Sequence, residues 1–196
     1  MSSFDTTRTA LLLIDVQASF PARPYWQDRE LPAYLDATRR LLAGCQAQGI
    51  PVVQVFHSDG PESPDNPFAH ASGLVRPLDG LPAYTPALRV DKHRHSALVG
   101  TGLGDWLRAQ GIGRLIVAGI RTEQCCETTT RHASDLGYQV DYVTEATLTF
   151  AMTDRGGRVW PPAEIRACTE LVLDKRFARI VDVAAALEGP EARQVA

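Results

Sequence analysis

The chain has 196 residues, of which 44% are apolar, so it can bury a substantial core and reads as one domain over residues 1–196. A formal net charge of −3 argues against a nucleic-acid binder. No apolar stretch is long enough to span a bilayer, which argues against a membrane-embedded protein.

The N-terminal MSSFDTTRTA is polar and lacks the apolar core of a signal peptide. The four cysteines, at 45, 125, 126 and 168, show neither CxxC spacing nor the density of a disulfide scaffold, so a cytoplasmic location is expected. In chain order, Thr9–Ile14 is a continuous apolar strand, and Asp15 stands where it ends. Ala18–Arg29 is a loop holding Phe20, Tyr25 and Trp26 among prolines. Glu30–Gln48 has helical periodicity, with Leu31, Leu35, Leu42 and Cys45 on one side, and Gly49 ends it. Pro51–Phe56 is a second strand. His57–Pro86 has no periodicity, and a loop that long in a compact domain is usually functional. Ala87–Asp91 is a short strand followed by Lys92, and Thr101–Gln110 is a helix. After the thiol-bearing segment described next come a strand over Tyr138–Thr144, a helix over Pro162–Asp174, a strand over Ala178–Val181, a short helix and a frayed tail. Strands alternating with helices imply an α/β fold with a central, mostly parallel sheet covered on both faces.

The chain is organised around Leu115–Ala133. Arg114–Ala118 is a buried strand, Gly119 breaks it, Thr122 offers an N-cap hydroxyl, and good helix formers run from Glu123 to Arg131. Cys125 then sits in the first turn of a helix, where free N–H groups and the positive dipole end favour a thiolate. Asp15, Lys92 and Cys125 each follow a strand, and in an open parallel sheet those strand ends share the edge where ligands bind. Taken singly, an aspartate after a strand is most often a turn former, and a lysine within DKHRH is most often solvated. Their coincidence at three strand ends favours chemistry.

The blocks ALLLIDVQASF, VDKHRHSALVGTGL and VAGIRTEQCCETTTRHASDLGYQVDYVTEAT resemble the signature blocks of the isochorismatase-like cysteine hydrolases, which include nicotinamidases and N-carbamoylsarcosine amidases. The resemblance implies a three-layer, Rossmann-like α/β/α fold and Asp15, Lys92 and Cys125 as a catalytic triad. It also implies a cis peptide at Ile120–Arg121 and an oxyanion hole made by the backbone N–H groups of Arg121 and Cys125. Members with this cysteine hydrolyse C–N bonds of small amides through a thioester, commonly as dimers or tetramers, so the expected partners are a small-molecule substrate and further copies of the chain. Isochorismatases proper lack the cysteine. Within the fold, an ester or imide is the alternative substrate; a CysCys redox sensor is the alternative of another class, and it has no need of Asp15 or Lys92.

The expected pocket is built from the loops at 18–29, 57–86 and 148–161, with Gln17, Phe20, Trp26, His57, Arg121 and Phe150 as candidate substrate contacts. No cofactor is called for. Some nicotinamidases bind a metal through Asp-x-His and a later His; here the order His57-Ser58-Asp59 is reversed before His70, which argues against a metal. His95 faces either the site or solvent. Cys126 reads as a buried hydrophobe, and Cys45 and Cys168 as core residues on apolar helix faces. Arg121 replaces the small or apolar residue usual in the family. Its guanidinium either holds a substrate carboxylate or leaves the site to pair with Glu123 or Glu145.

Overall fold

A computed structural model describes residues 8–189. Six parallel strands, β1 (Thr9–Ile14), β2 (Val52–His57), β3 (Leu88–Lys92), β4 (Arg114–Ile120), β5 (Gln139–Leu148) and β8 (Arg179–Val181), lie in the order β3-β2-β1-β4-β5-β8. The chain winds outward from β1 in both directions, so strand order reverses between β1 and β4 and opens a crevice at their carboxyl ends.

Alternation along the strands builds two cores. Leu11 and Leu13 of β1 join Ile116, Ala118 and Ile120 of β4 on the face covered by α1 (Leu31–Ala47) and α5 (Val183–Glu188). Ala10, Leu12 and Ile14 join Leu115 and Val117 on the face covered by α2 (Leu103–Ala109), α3 (Glu127–Asp135) and α4 (Pro162–Leu173). Both faces of β1 and β4 are buried, which is why they read as unbroken apolar runs.

Four expectations need correction. Gly119 does not end β4: the strand runs on to Ile120, and Gly119, at φ 137°, lies opposite Ile14, whose carbonyl oxygen would stand 1.9 Å from an added Cβ. The residue is glycine because two backbones meet there. β5 extends to Leu148, past the expected Thr144, with a register shift against β4 between Val117 and Gly119. A small hairpin, β6 (Met152–Thr153) and β7 (Val159–Trp160), occupies the loop before α4. Cys168 is exposed, because α4 turns Ile165, Thr169 and Leu173 inward and leaves position 168 out of phase. Cys45 and Cys126 are buried. The expected frayed tail lies outside the described residues. No helix among the described residues is long and apolar enough to cross a membrane.

Candidate active site

Three strand ends and one turn converge at the crevice. Asp15 leaves β1 at φ 52°, a left-handed conformation that aspartate tolerates better than most residues. Its N–H donates to the Val55 carbonyl at 2.9 Å, and its carbonyl accepts from Gln17 N–H at 2.9 Å. Lys92 closes β3. Its ammonium crosses the end of β2 and lies 2.9 Å from Asp15 Oδ2, with both side chains almost wholly buried.

The Ile120–Arg121 peptide is cis. Thr122–Cys126 follows as a single π-helical turn ahead of α3, a distortion frequent at functional sites. Thr122 does not cap it: its hydroxyl donates to Thr147 Oγ1 at 2.8 Å, and Tyr142 Oη donates to the Thr122 carbonyl at 2.8 Å. The end of β5 thus holds the turn that carries Cys125, whose sulfur lies 3.3 Å from Lys92 Nζ and 3.6 Å from His95 Nδ1.

Lys92 determines the protonation of its neighbours. An ammonium has three hydrogens and no lone pair, and Lys92 Nζ has three acceptors around it: Asp15 Oδ2, Cys125 Sγ and His57 Nδ1 at 3.2 Å. Burial works against its charge, but Asp15 and Cys125 outweigh burial, and its pKa is raised. His57 Nδ1 is therefore an acceptor, and the neutral ring carries its proton on Nε2. Burial, with the Lys92 charge, lowers the His57 pKa to about 4. The expectation of a thiolate favoured by the helix end is overturned. Burial first, then the Asp15 carboxylate, push the Cys125 thiol up, and Lys92 only partly offsets them, so the thiol rests protonated beside a base. Burial also raises Asp15, against the pull of the Lys92 charge.

These groups open onto a cavity of about 320 Å³ lined by Asp15, Phe20, His57, Arg121 and Cys125 among the expected residues. Three expected contacts are elsewhere. Gln17 is fully buried and clamps His57, accepting from its N–H at 2.8 Å and donating to its carbonyl at 2.9 Å. Trp26 donates to Asp28 outside the cavity and packs on Phe150, ring centroids 5.2 Å apart. Phe150 is core, supporting Tyr25 at 5.3 Å from behind. Sequence reasoning left out Arg23, Tyr25, Phe68 and Gln124, which line the cavity. Tyr25 stood in the flagged aromatic cluster, but nothing in the aperiodic loop marked Phe68. His95 faces the site.

The three possible metal ligands, His57, Asp59 and His70, are not grouped in the fold. His57 Nδ1 is taken by Lys92, Asp59 Oδ1 accepts from Gly60 N–H, and His70 is exposed on a 3-10 turn. No three His, Cys, Asp or Glu side chains among the described residues group as ligands. A larger groove of about 1540 Å³ follows the amino ends of the strands, but among the described residues neither cysteine, serine nor histidine lines it. The smaller cavity is the candidate site.

Comparison with known proteins matches residues 9–158 to the Isochorismatase domain. An uncharacterised isochorismatase family protein of Bacillus subtilis is 27% identical over 178 residues, 89% of this chain and 91% of that one. The nicotinamidase of Escherichia coli is 30% identical over 177 residues, 69% of this chain and 81% of that one. A cysteine hydrolase from Pseudomonas syringae shares the fold at a TM-score of 0.83 and 22% identity, over 96% of this chain and 94% of that one.

Proposed function

The chain belongs to the isochorismatase family, and from that premise we propose that it is a cysteine hydrolase cleaving the C–N bond of a small amide through a thioester. The observation that carries this reading is a buried Asp15–Lys92 ion pair whose ammonium also lies 3.3 Å from the Cys125 sulfur, at the wall of a cavity. A resting thiol needs a base to become a nucleophile, and Asp15, held by the same Lys92 ammonium that lies against the sulfur, is the carboxylate at hand.

Asp15 takes the thiol proton as Cys125 Sγ bonds to the amide carbon, and the N–H groups of Arg121 and Cys125 receive the developing oxyanion. Lys92 balances the charge passing between carboxylate and sulfur. The tetrahedral adduct collapses, the C–N bond breaks, and Asp15 delivers its proton to the leaving nitrogen. Water then attacks the thioester, giving one proton to Asp15, and the acid and the free thiol are regenerated when that proton returns to sulfur. Ammonia release across a panel of small amides, with Cys125→Ala as control, tests the reading. Release that depends on Cys125 is expected. No ammonia from any amide, with acid released from the matching esters, would overturn it.

A further inference from the structure

The cavity wall carries a guanidinium whose donors are mostly unspent. Arg121 is 9% exposed and lines the cavity beside Cys125. Its guanidinium carbon lies 5.1 Å from the Tyr25 ring centroid and 5.6 Å from that of Phe150, so two aromatic rings hold it. One terminal nitrogen faces Glu123 Oε1 at 2.9 Å, while Nε has no hydrogen-bond partner among the described residues. Both roles left open by the sequence thus coincide: Arg121 pairs with Glu123 and stays in the cavity, while Glu145 is engaged by Arg40 and by Val183 N–H.

Glu123 is itself fixed, because its Oε2 accepts from Thr149 Oγ1 at 2.6 Å. It orients the guanidinium without exhausting its five donors. A second guanidinium, Arg23, lines the same cavity, 5.7 Å from the Tyr25 centroid and 6.0 Å from that of Phe68, and has no carboxylate partner among the described residues. Apart from Asp15, the one lining carboxylate among the described residues is Asp59, and its Oδ1 is held by Gly60 N–H. An arginine cannot shed its charge, and its planar fork matches a carboxylate.

We propose that this wall is an anion subsite: the substrate is an amide that also bears a carboxylate or a like acidic group, held by Arg121 with Arg23 at the mouth. Its carbon frame lies against Tyr25 and Phe68. The link to turnover rests on the amide-hydrolase reading, but the binding does not.

The test uses Cys125→Ala protein, which binds without turnover, and calorimetric titration with benzoate and benzamide, probes of one shape that differ in charge. Benzoate is expected to bind more tightly. Arg121→Gln should weaken benzoate by roughly ten- to a hundredfold, the span of one charge-assisted hydrogen bond, and leave benzamide nearly unchanged. Arg23→Gln should cost less, and its effect should shrink with added salt. If Arg121→Gln does not fold because Glu123 is left unpaired, the Arg121→Gln/Glu123→Gln double variant gives the same comparison. No benzoate binding, equal binding of the two probes, or an unchanged preference in the variants overturns the subsite. Succinamate against butyramide as substrates of the intact enzyme separates the two claims. Ammonia from neither amide, with benzoate selectivity intact, defeats the hydrolase reading alone; ammonia from both without preference, and no benzoate selectivity, defeats the subsite alone.

Discussion

Asp15, at the carboxyl ends of the strands, and Asp141, toward their amino ends, are both buried beside cations, yet their surroundings differ. Asp141 faces two guanidiniums. Arg114 reaches Oδ2 through two nitrogens, and Arg179 spans both oxygens at 2.7 and 3.0 Å. Arg114 also donates to the Ala186 carbonyl at 2.7 Å and to Thr9 Oγ1 at 3.3 Å, which ties β4, β5, β8, α5 and β1 together. Asp15 shares a single ammonium with a thiol and an imidazole. A saturated ion pair has no proton to move and so fixes geometry. An under-partnered one, with a proton on the neighbouring sulfur, has chemistry left to do.

The contrast is broken or sharpened by the same substitution at each end. Asp15→Asn should lower kcat/KM by roughly 10²–10⁴-fold, the usual worth of a general acid–base group. The fold should survive, because asparagine also tolerates the left-handed backbone, and Lys92 can lose its proton when its counterion goes. Asp141→Asn should do the opposite. Its guanidiniums cannot deprotonate, so an amide facing them leaves buried charge uncompensated, at about 3–5 kcal/mol of unfolding free energy, with kcat/KM unchanged. Denaturant unfolding and amide turnover on both variants decide the matter. If Asp141→Asn lost turnover at full stability, the two ends would not be divided as argued.

What the sequence made legible follows the range of the interactions involved. The strands and the convergence of Asp15, Lys92 and Cys125 could be read, because apolar runs mark buried strands and parallel topology gathers their ends. The protonation state could not. Cys125 looks like a helix-end thiolate until its burial and its distance from Asp15 and Lys92 are known. Gln17 looks like a substrate contact because it follows Asp15, yet its partner is the backbone of His57, forty positions away. The same holds for Phe68, brought to the cavity by a loop with no periodicity, and for Gly119, whose reason is the Ile14 carbonyl on another strand.

The smallest predicted effect concerns His57, the group that links Lys92 to the cavity. Burial and the adjacent ammonium lower its pKa from 6.5 to about 4 in the folded chain, whereas the unfolded chain holds it near its ordinary value. Between those limits the unfolded state binds more protons, so unfolding free energy must fall as pH drops from about 6.5 towards 4. Asp15 contributes with the opposite sign. Its folded pKa is raised, so in acid the folded state takes up that proton first and gains stability as pH falls. Subtraction isolates the histidine: His57→Gln cannot titrate, and the difference between wild type and variant, measured at pH 7 and again at pH 4.5, should shift by about 1–2 kcal/mol, a figure discounted for the water that reaches this half-buried ring. If that difference were the same at both pH values, His57 would not be the neutral acceptor of Lys92, and the three-acceptor geometry around the ammonium would be wrong.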